Sequence, residues 1–194
     1  LNAQFYLAGL YEFSVEVDPT DVGPTRLDVL ARWGLSRASI GIQDFDPAVQ
    51  DAIGRQQSPE RTQEVVDMLR ARGVANLNFD LLYGLPHQTL DSLQATLDMS
   101  LQMAPDRVAL FGYAHVPWMS KRQSMIPADA LPNPERRYAL FSAARDRFLD
   151  AGMSQIGIDH FARPRDGLAQ ALAERRLKRS FQGYTDDPAP YLIA

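Results

Sequence analysis

Cysteine is absent from the 194 residues. That excludes a disulfide framework, a catalytic thiol and any thiolate-bound metal or iron–sulfur cluster ligated from within them. Long apolar runs are lacking too: nothing approaches the roughly 20 residues a membrane helix needs, and no secretory leader pattern opens the chain. The sequence reads as soluble and cytoplasmic, with no membrane partner. Nor is there an excess of positive charge. Lys and Arg number 20 against 24 Asp and Glu, a net charge of −4, which argues against a nucleic-acid partner, because a cradle for phosphates would have to be local. The glycines Gly41, Gly54, Gly73 and Gly84 fit neither GxGxxG nor a P-loop, and no nucleophile elbow occurs. His87, His115 and His160 are scattered without metal-ligand spacing. The chain opens on Leu1 rather than Met and is read as part of a longer polypeptide.

What is present is a core. Hydrophobic residues make up 45% of the chain, and they fall into alternating strand and helix patterns. A β-rich run at 12–17 ends at Asp18-Pro19. Pro24 opens a helix with Leu27, Leu30 and Ala31 on one face, closed by Gly34. A strand at 37–42 precedes a helix that Ser58-Pro59 starts and Gly73 stops. A third strand, 75–82, leads to a helix capped by Thr89 and stopped by Pro105, and a fourth strand follows at 107–112. After a long loop at 113–133, Pro134 starts a helix that Gly152 ends, and 154–158 is the last strand. Such alternation predicts crossover units and an α/β fold with a parallel sheet, and the apolar 75–82 segment reads as buried on both faces.

Polar residues stand at the C-terminal ends of these strands: Glu16 and Asp18, Gln43 and Asp44, Asp80, Tyr113 and His115, Asp159 and His160. One such residue alone starts a loop or caps a helix. Five successive strand ends offering carboxylate, amide or imidazole groups to one rim describe a ligand site. Glu16 and Asp80 suit a ribose or an amine, Gln43 both donates and accepts, and Arg55 suits a carboxylate, a solvated surface arginine being the alternative. Asp18 reads as a turn residue. Farther on, Arg163, Lys178 and Arg179 alternate with Phe161, Phe181 and Tyr184, a mixture suited to a large flat anionic ligand. A structural basic helix end is the other reading of it.

Five strings carry a resemblance: Gly41-Ile42-Gln43-Asp44-Phe45, Asn78-Phe79-Asp80-Leu81-Leu82-Tyr83-Gly84-Leu85-Pro86, Tyr113-Ala114-His115-Val116-Pro117, Gly157-Ile158-Asp159-His160-Phe161-Ala162 and Phe181-Gln182-Gly183-Tyr184-Thr185. Together they closely resemble the oxygen-independent coproporphyrinogen III oxidases, radical S-adenosylmethionine enzymes of haem biosynthesis. The first two strings are shared with relatives such as the radical-SAM haem chaperones; the last three single out the oxidases.

The resemblance implies a radical-SAM partial (β/α) barrel with parallel strands that binds S-adenosylmethionine and a [4Fe–4S] cluster. It places Glu16, Gln43, Arg55, Asp80 and Ala114 on S-adenosylmethionine. It implies oxidative decarboxylation of two propionates of coproporphyrinogen III to vinyl groups, giving protoporphyrinogen IX by hydrogen abstraction from the propionate β-carbon. Electron donor and acceptor stay unspecified, and the family leads one to expect a monomer. Arg163, Lys178 and Arg179 are candidates for the substrate propionates on electrostatic grounds. The family's CxxxCxxC segment is absent here, so the cluster ligands are expected upstream. Residues 1–194 are then an incomplete catalytic domain lacking the N-terminal cluster segment and the C-terminal domain, with substrate-side motifs from about residue 113. A haem chaperone on the same fold, or a cluster-free homologue acting as a binding protein, is the alternative. Ser180, where the family usually has Asn, departs from the pattern.

Overall fold

All but one of the α-helices among the described residues begin where a short polar side chain satisfies free backbone N–H groups. In the computed structural model, which describes residues 11–121, 123–180, 183–187 and 189, this holds for α2 (Pro47–Ile53), capped by Asp46, α3 (Pro59–Ala71), capped by Ser58, and α5 (Pro134–Asp150), capped by Asn133. In α4 (Leu90–Gln102), Thr89 and Ser92 form a reciprocal capping box. The first helix, α1 (Pro24–Arg32), has proline at its start but no side-chain cap. The sequence reading missed α2, although Asp46-Pro47 and Gly54 mark both its ends.

The strands β1 (Ser14–Val17), β2 (Arg37–Gln43), β3 (Asn76–Tyr83) and β4 (Arg107–Gly112) pair in parallel, in that order. The predicted last strand at 154–158 is corrected: β5 (Ser154–Ile156) and β6 (His160–Ala162) form a hairpin, and β6 rather than β5 pairs with β4, antiparallel. Gly157, at φ 62°, supplies the left-handed turn that breaks the segment. Three further elements were not foreseen: α6 (Gly167–Ala173) and the separate hairpin of β7 (Lys178–Ser180) with β8 (Gly183–Thr185).

The third strand has no exposed residue, but it is apolar on one face only; its side chains alternate. Leu77, Phe79 and Leu81 join Ile40, Ile42, Val108, Leu110 and Phe161 in the main core, together with Val65 and Leu69 of α3, Leu93 and Leu97 of α4, and Phe148 of α5. Asn78 and Asp80 point the other way. On that opposite face Glu16 lies beside Ser39, Ser39 beside Asn78 and Asn78 beside Arg107; higher up, Gly41 lies beside Asp80, Asp80 beside Ala109 and Ala109 beside His160. A small second core of Ile156, Ala162, Leu168 and Ala169, with Leu177 and Tyr184 against it, packs α6 and the β7–β8 hairpin near this face at the β5–β6 side.

The end of the sheet where the parallel strands begin is closed by ion pairs. Asp166 is buried and meets Arg107 at 2.7 Å and Arg37 at 3.4 Å, while its other acceptor capacity caps α6 through Leu168 N–H. Asp106, nearly as buried, receives Arg70 and Arg165, both at 2.7 Å, and the Leu77 N–H. Burial alone would raise its carboxyl pKa, but the Leu77 amide and the two arginines outweigh that and hold it below the usual carboxylate range. Among the described residues no helix is long and apolar enough to cross a membrane.

Candidate functional site

At the opposite end of the sheet the polar face rises to an open rim. Asp80 is fixed there by its neighbours: Ser39 donates to one carboxylate oxygen at 2.8 Å and the Asn78 amide to the other at 2.8 Å, with Asn78 also donating to the Ser39 hydroxyl at 2.7 Å. Both oxygens are therefore oriented while the group stays half-buried. Glu16, two strands over on β1, is exposed and has no side-chain partner among the described residues. The amide oxygen Asn78 Oδ1 is buried without a partner, an orphan that costs free energy unless a ligand or water reaches it.

Between Gly41 and Gln43 the register with β3 slips by one residue, and Gln43 takes φ 68°, a conformation most side chains avoid. A bulge of this kind re-aims the residue at the end of a strand. The Gln43 side chain folds back over Gly41, where a Cβ would stand 3.2 Å from Gln43 Nε2 and 3.4 Å from Arg55 Nη2. Glycine thus leaves bare backbone between two donors. Arg55, reached through α2, donates from Nη2 to the Gly41 carbonyl at 2.9 Å and lies 3.4 Å from Asp18. Asp18 is a turn residue as expected, accepting from the Thr20 N–H and hydroxyl. Partial burial opposes its ionisation, yet those bonds and the Arg55 guanidinium leave its carboxyl pKa lowered.

Asp44 does not line the rim. It is fully buried, accepting from Asp46 N–H, Thr96 Oγ1 and Gln88 Nε2. Burial pushes its pKa up despite these three donors. Gln88 in turn accepts from the Gly84 N–H at 2.6 Å and holds the turn after β3.

The far side of the rim is aromatic. Phe111, His160 and Tyr184 follow one another edge to face, with ring centroids 5.8 and 5.9 Å apart, and Arg179 lies 5.1 Å over the Tyr184 ring. Tyr184 sits directly on Gly157, where any Cβ would overlap the ring. His160 Nδ1 is 2.7 Å from Asp159 Oδ1, which fixes its ring. Because β6 runs antiparallel, this pair reaches the rim from the start of a strand rather than from the end of one.

Ala114 lies exposed just beyond β4. Its carbonyl accepts from Gln123 Nε2 at 3.2 Å, and Gln123 Oε1 accepts from the Val116 N–H, so one glutamine splints the segment. Burial raises the pKa of the neighbouring Tyr113. A cleft of about 700 Å³ runs from Gly54 and His87 past Tyr113 to Gln123 and Ile126.

The structure therefore brings Glu16, Gln43, Arg55 and Asp80 to one edge of the sheet, with Ala114 on the loop leaving β4 and Arg179 beside the aromatic row. Lys178 is exposed on β7. Arg163 is not brought to them: it follows β6 at the opposite end and donates to the Ala151 carbonyl at 2.8 Å and the Pro105 carbonyl at 3.4 Å. Phe181 and Gln182 lie outside the described residues. Sequence reasoning assigned no role to Ser39, Gln57, Gln88 or Gln123. Each is an uncharged polar residue, too common a type to single out.

The chain is 58% identical over 189 residues to the oxygen-independent coproporphyrinogen III oxidase of Paracoccus denitrificans, covering 97% of this chain and 42% of that one. It is 49% identical over 193 residues to the enzyme of the same name from Bradyrhizobium diazoefficiens, covering 43% of its length. The solved structure of coproporphyrinogen III oxidase (HemN) from Escherichia coli, a radical SAM enzyme, superposes with a TM-score of 0.88 at 39% identity, over 91% of this chain and 41% of that one. The chain thus spans about two fifths of the length of these relatives. Residues 3–100, which include β1, β2, β3 and the carboxylates and guanidinium at their ends, match the Radical SAM superfamily: the chain belongs to that superfamily.

Proposed function

We propose that, within its full-length protein, this chain binds S-adenosylmethionine on the polar face of β1–β3 and presents coproporphyrinogen III to it for oxygen-independent oxidative decarboxylation to protoporphyrinogen IX. The observation that carries the reading is one sheet edge holding Glu16, the bare Gly41 backbone, Gln43, Arg55 and Asp80, with an aromatic row and Arg179 beside it. A chain 58% identical to a coproporphyrinogen III oxidase supports the substrate.

The residues fit S-adenosylmethionine. Arg55 suits the methionine carboxylate, because a guanidinium already held through Nε and Nη2 by Gln57 and the Gly41 carbonyl keeps Nη1 as an oriented donor and its full positive charge. Glu16 and Asp80 accept from the amine or the ribose hydroxyls; Asp80, with Ser39 and Asn78 on its two oxygens, is pre-oriented to do so. Gln43, aimed by the bulge, and the backbone at Ala114 complete the rim. When bound, S-adenosylmethionine supplies the hydrogen-abstracting chemistry, and the protein's part is to position and shield it. Arg179 and Lys178 offer charge to the propionates. The [4Fe–4S] cluster of the superfamily does not fit these residues. Without a cysteine, none of the 194 residues supplies a thiolate, and the reading assigns those ligands to a segment that precedes them.

The test is anaerobic incubation of the reconstituted full-length protein with coproporphyrinogen III, S-adenosylmethionine and a low-potential reductant. Loss of two carbon dioxides per porphyrinogen is expected. Haem or porphyrin binding without decarboxylation would replace the oxidase by a chaperone.

A further inference from the structure

Arg55 is gripped from behind by Gln57, whose Oε1 accepts from Arg55 Nε at 3.3 Å and from Nη2 at 3.1 Å. The amide cannot turn round, because its Nε2 donates to Thr62 Oγ1 at 3.0 Å. The Gln57 backbone is held as firmly: its N–H donates to Gln50 Oε1 at 3.0 Å while its carbonyl accepts from Gln50 Nε2 at 2.7 Å. Gln50 Nε2 also donates to the Asp44 carbonyl at 2.9 Å, one residue past Gln43. Asp44, Gln50, Gln57 and Thr62 are all between 0 and 5% exposed. The bonds that hold Gln57 itself lie inside the protein, joining the end of β2, α2 and the first turn of α3 around the loop that carries Arg55.

Buried amides are expensive to leave unpaired, and a fully satisfied buried network defines one geometry. On that ground we infer that Gln57 is a positioning residue that sets the Arg55 guanidinium toward the carboxylate end of S-adenosylmethionine, with Gln50 tying its backbone to the Gln43–Asp44 turn. The inference rests on the placement of Arg55 proposed above. Removing the Gln57 oxygen frees the guanidinium to swing toward Asp18, 3.4 Å away, and so takes it from a ligand carboxylate.

A purely structural glutamine and one that acts through Arg55 differ in which ligand notices its loss. Dissociation constants for S-adenosylmethionine and for 5′-methylthioadenosine, which lacks the amino-acid chain, are measured without reductant on the reconstituted full-length protein. Arg55→Ala, Gln57→Leu, their double variant and Gln57→Glu are compared, the last keeping an oxygen toward Arg55. The expected result is at least a tenfold loss of S-adenosylmethionine affinity in Gln57→Leu and under a twofold change for 5′-methylthioadenosine. The double variant should be no weaker than Arg55→Ala, and Gln57→Glu should recover most of the loss. Equal weakening of both ligands, no weakening of either, or additive losses in the double variant overturn the inference. If Arg55→Ala itself leaves S-adenosylmethionine affinity unchanged, the placement of Arg55 fails, and the inference falls with it. Should Gln57→Leu not fold, Thr62→Val, of matching shape, removes the partner that orients the amide and must show the same ligand split.

Discussion

Asn78 and Asp80, two residues apart on one strand, share a face, and the Asn78 amide donates to the Asp80 carboxylate at 2.8 Å. A strand alternates sides, so this spacing is the shortest at which a polar residue can hold another without leaving the sheet. Asn78→Ala removes that donor and the bond to Ser39. Calorimetric titration should show S-adenosylmethionine binding about tenfold weaker, equivalent to about 1.4 kcal/mol, with a stability loss of about 1–3 kcal/mol from the partly unpaired carboxylate.

Gly41 tests the cradle by filling it. The atoms a Cβ would approach are the ends of the Gln43 and Arg55 side chains, at 3.2 and 3.4 Å, so the fold can absorb a larger residue by moving them. Gly41→Val should leave the unfolding midpoint nearly unchanged and weaken S-adenosylmethionine at least tenfold. A variant that binds normally would show that the ligand does not pass over this strand.

The ion-pair knot at the closed end predicts the reverse pattern. Asp166→Asn keeps an oxygen for the α6 cap but leaves Arg37 and Arg107 facing a neutral group. Denaturant unfolding should show a loss of about 3–5 kcal/mol, while S-adenosylmethionine affinity in the folded protein stays within twofold.

The pH dependence of stability follows from Asp106. Its folded pKa is lowered, so it contributes stability above the ordinary aspartate value, and that contribution is lost as pH falls through the folded value. Asp44 acts in the opposite sense. Its folded pKa is raised by burial, so its contribution is fullest below the ordinary value and declines as pH rises through the folded one. Urea midpoints measured from pH 7 down to pH 3 should fall less steeply at the acid end in Asp106→Asn than in the parent protein.

Much of this was legible in the sequence, because strand ends and helix caps are local signals. Pro24, Ser58, Thr89 and Asn133-Pro134 start helices where their chemistry demands, and Glu16, Gln43 and Asp80 stand at one rim because the strands preceding them run parallel. Less legible was anything set by side-chain direction. The alternation of Asn78 and Asp80 with Leu77, Phe79 and Leu81 separates a helix-covered core from a second face that is polar although Asn78 on it is buried and Asp80 half-buried. Arg163 reads as part of a basic substrate patch because cations and aromatics interleave in its segment and in 178–185. The antiparallel course of β6 carries it to the other end of the sheet, where it holds carbonyls. Asp44 was placed at the rim by its neighbour Gln43, but the left-handed turn at Gln43 sends the next side chain inward.

The measurement that most directly tests the account is equilibrium binding of S-adenosylmethionine to the reconstituted full-length protein carrying Glu16→Gln, Arg55→Ala or Asp80→Asn, each compared with the parent. The account predicts that every one of these changes weakens binding by at least tenfold, or about 1.4 kcal/mol, with the unfolding midpoint preserved for Glu16→Gln, whose side chain is exposed. Parental affinity in all three would contradict it, and would place the ligand somewhere other than the polar edge of this sheet.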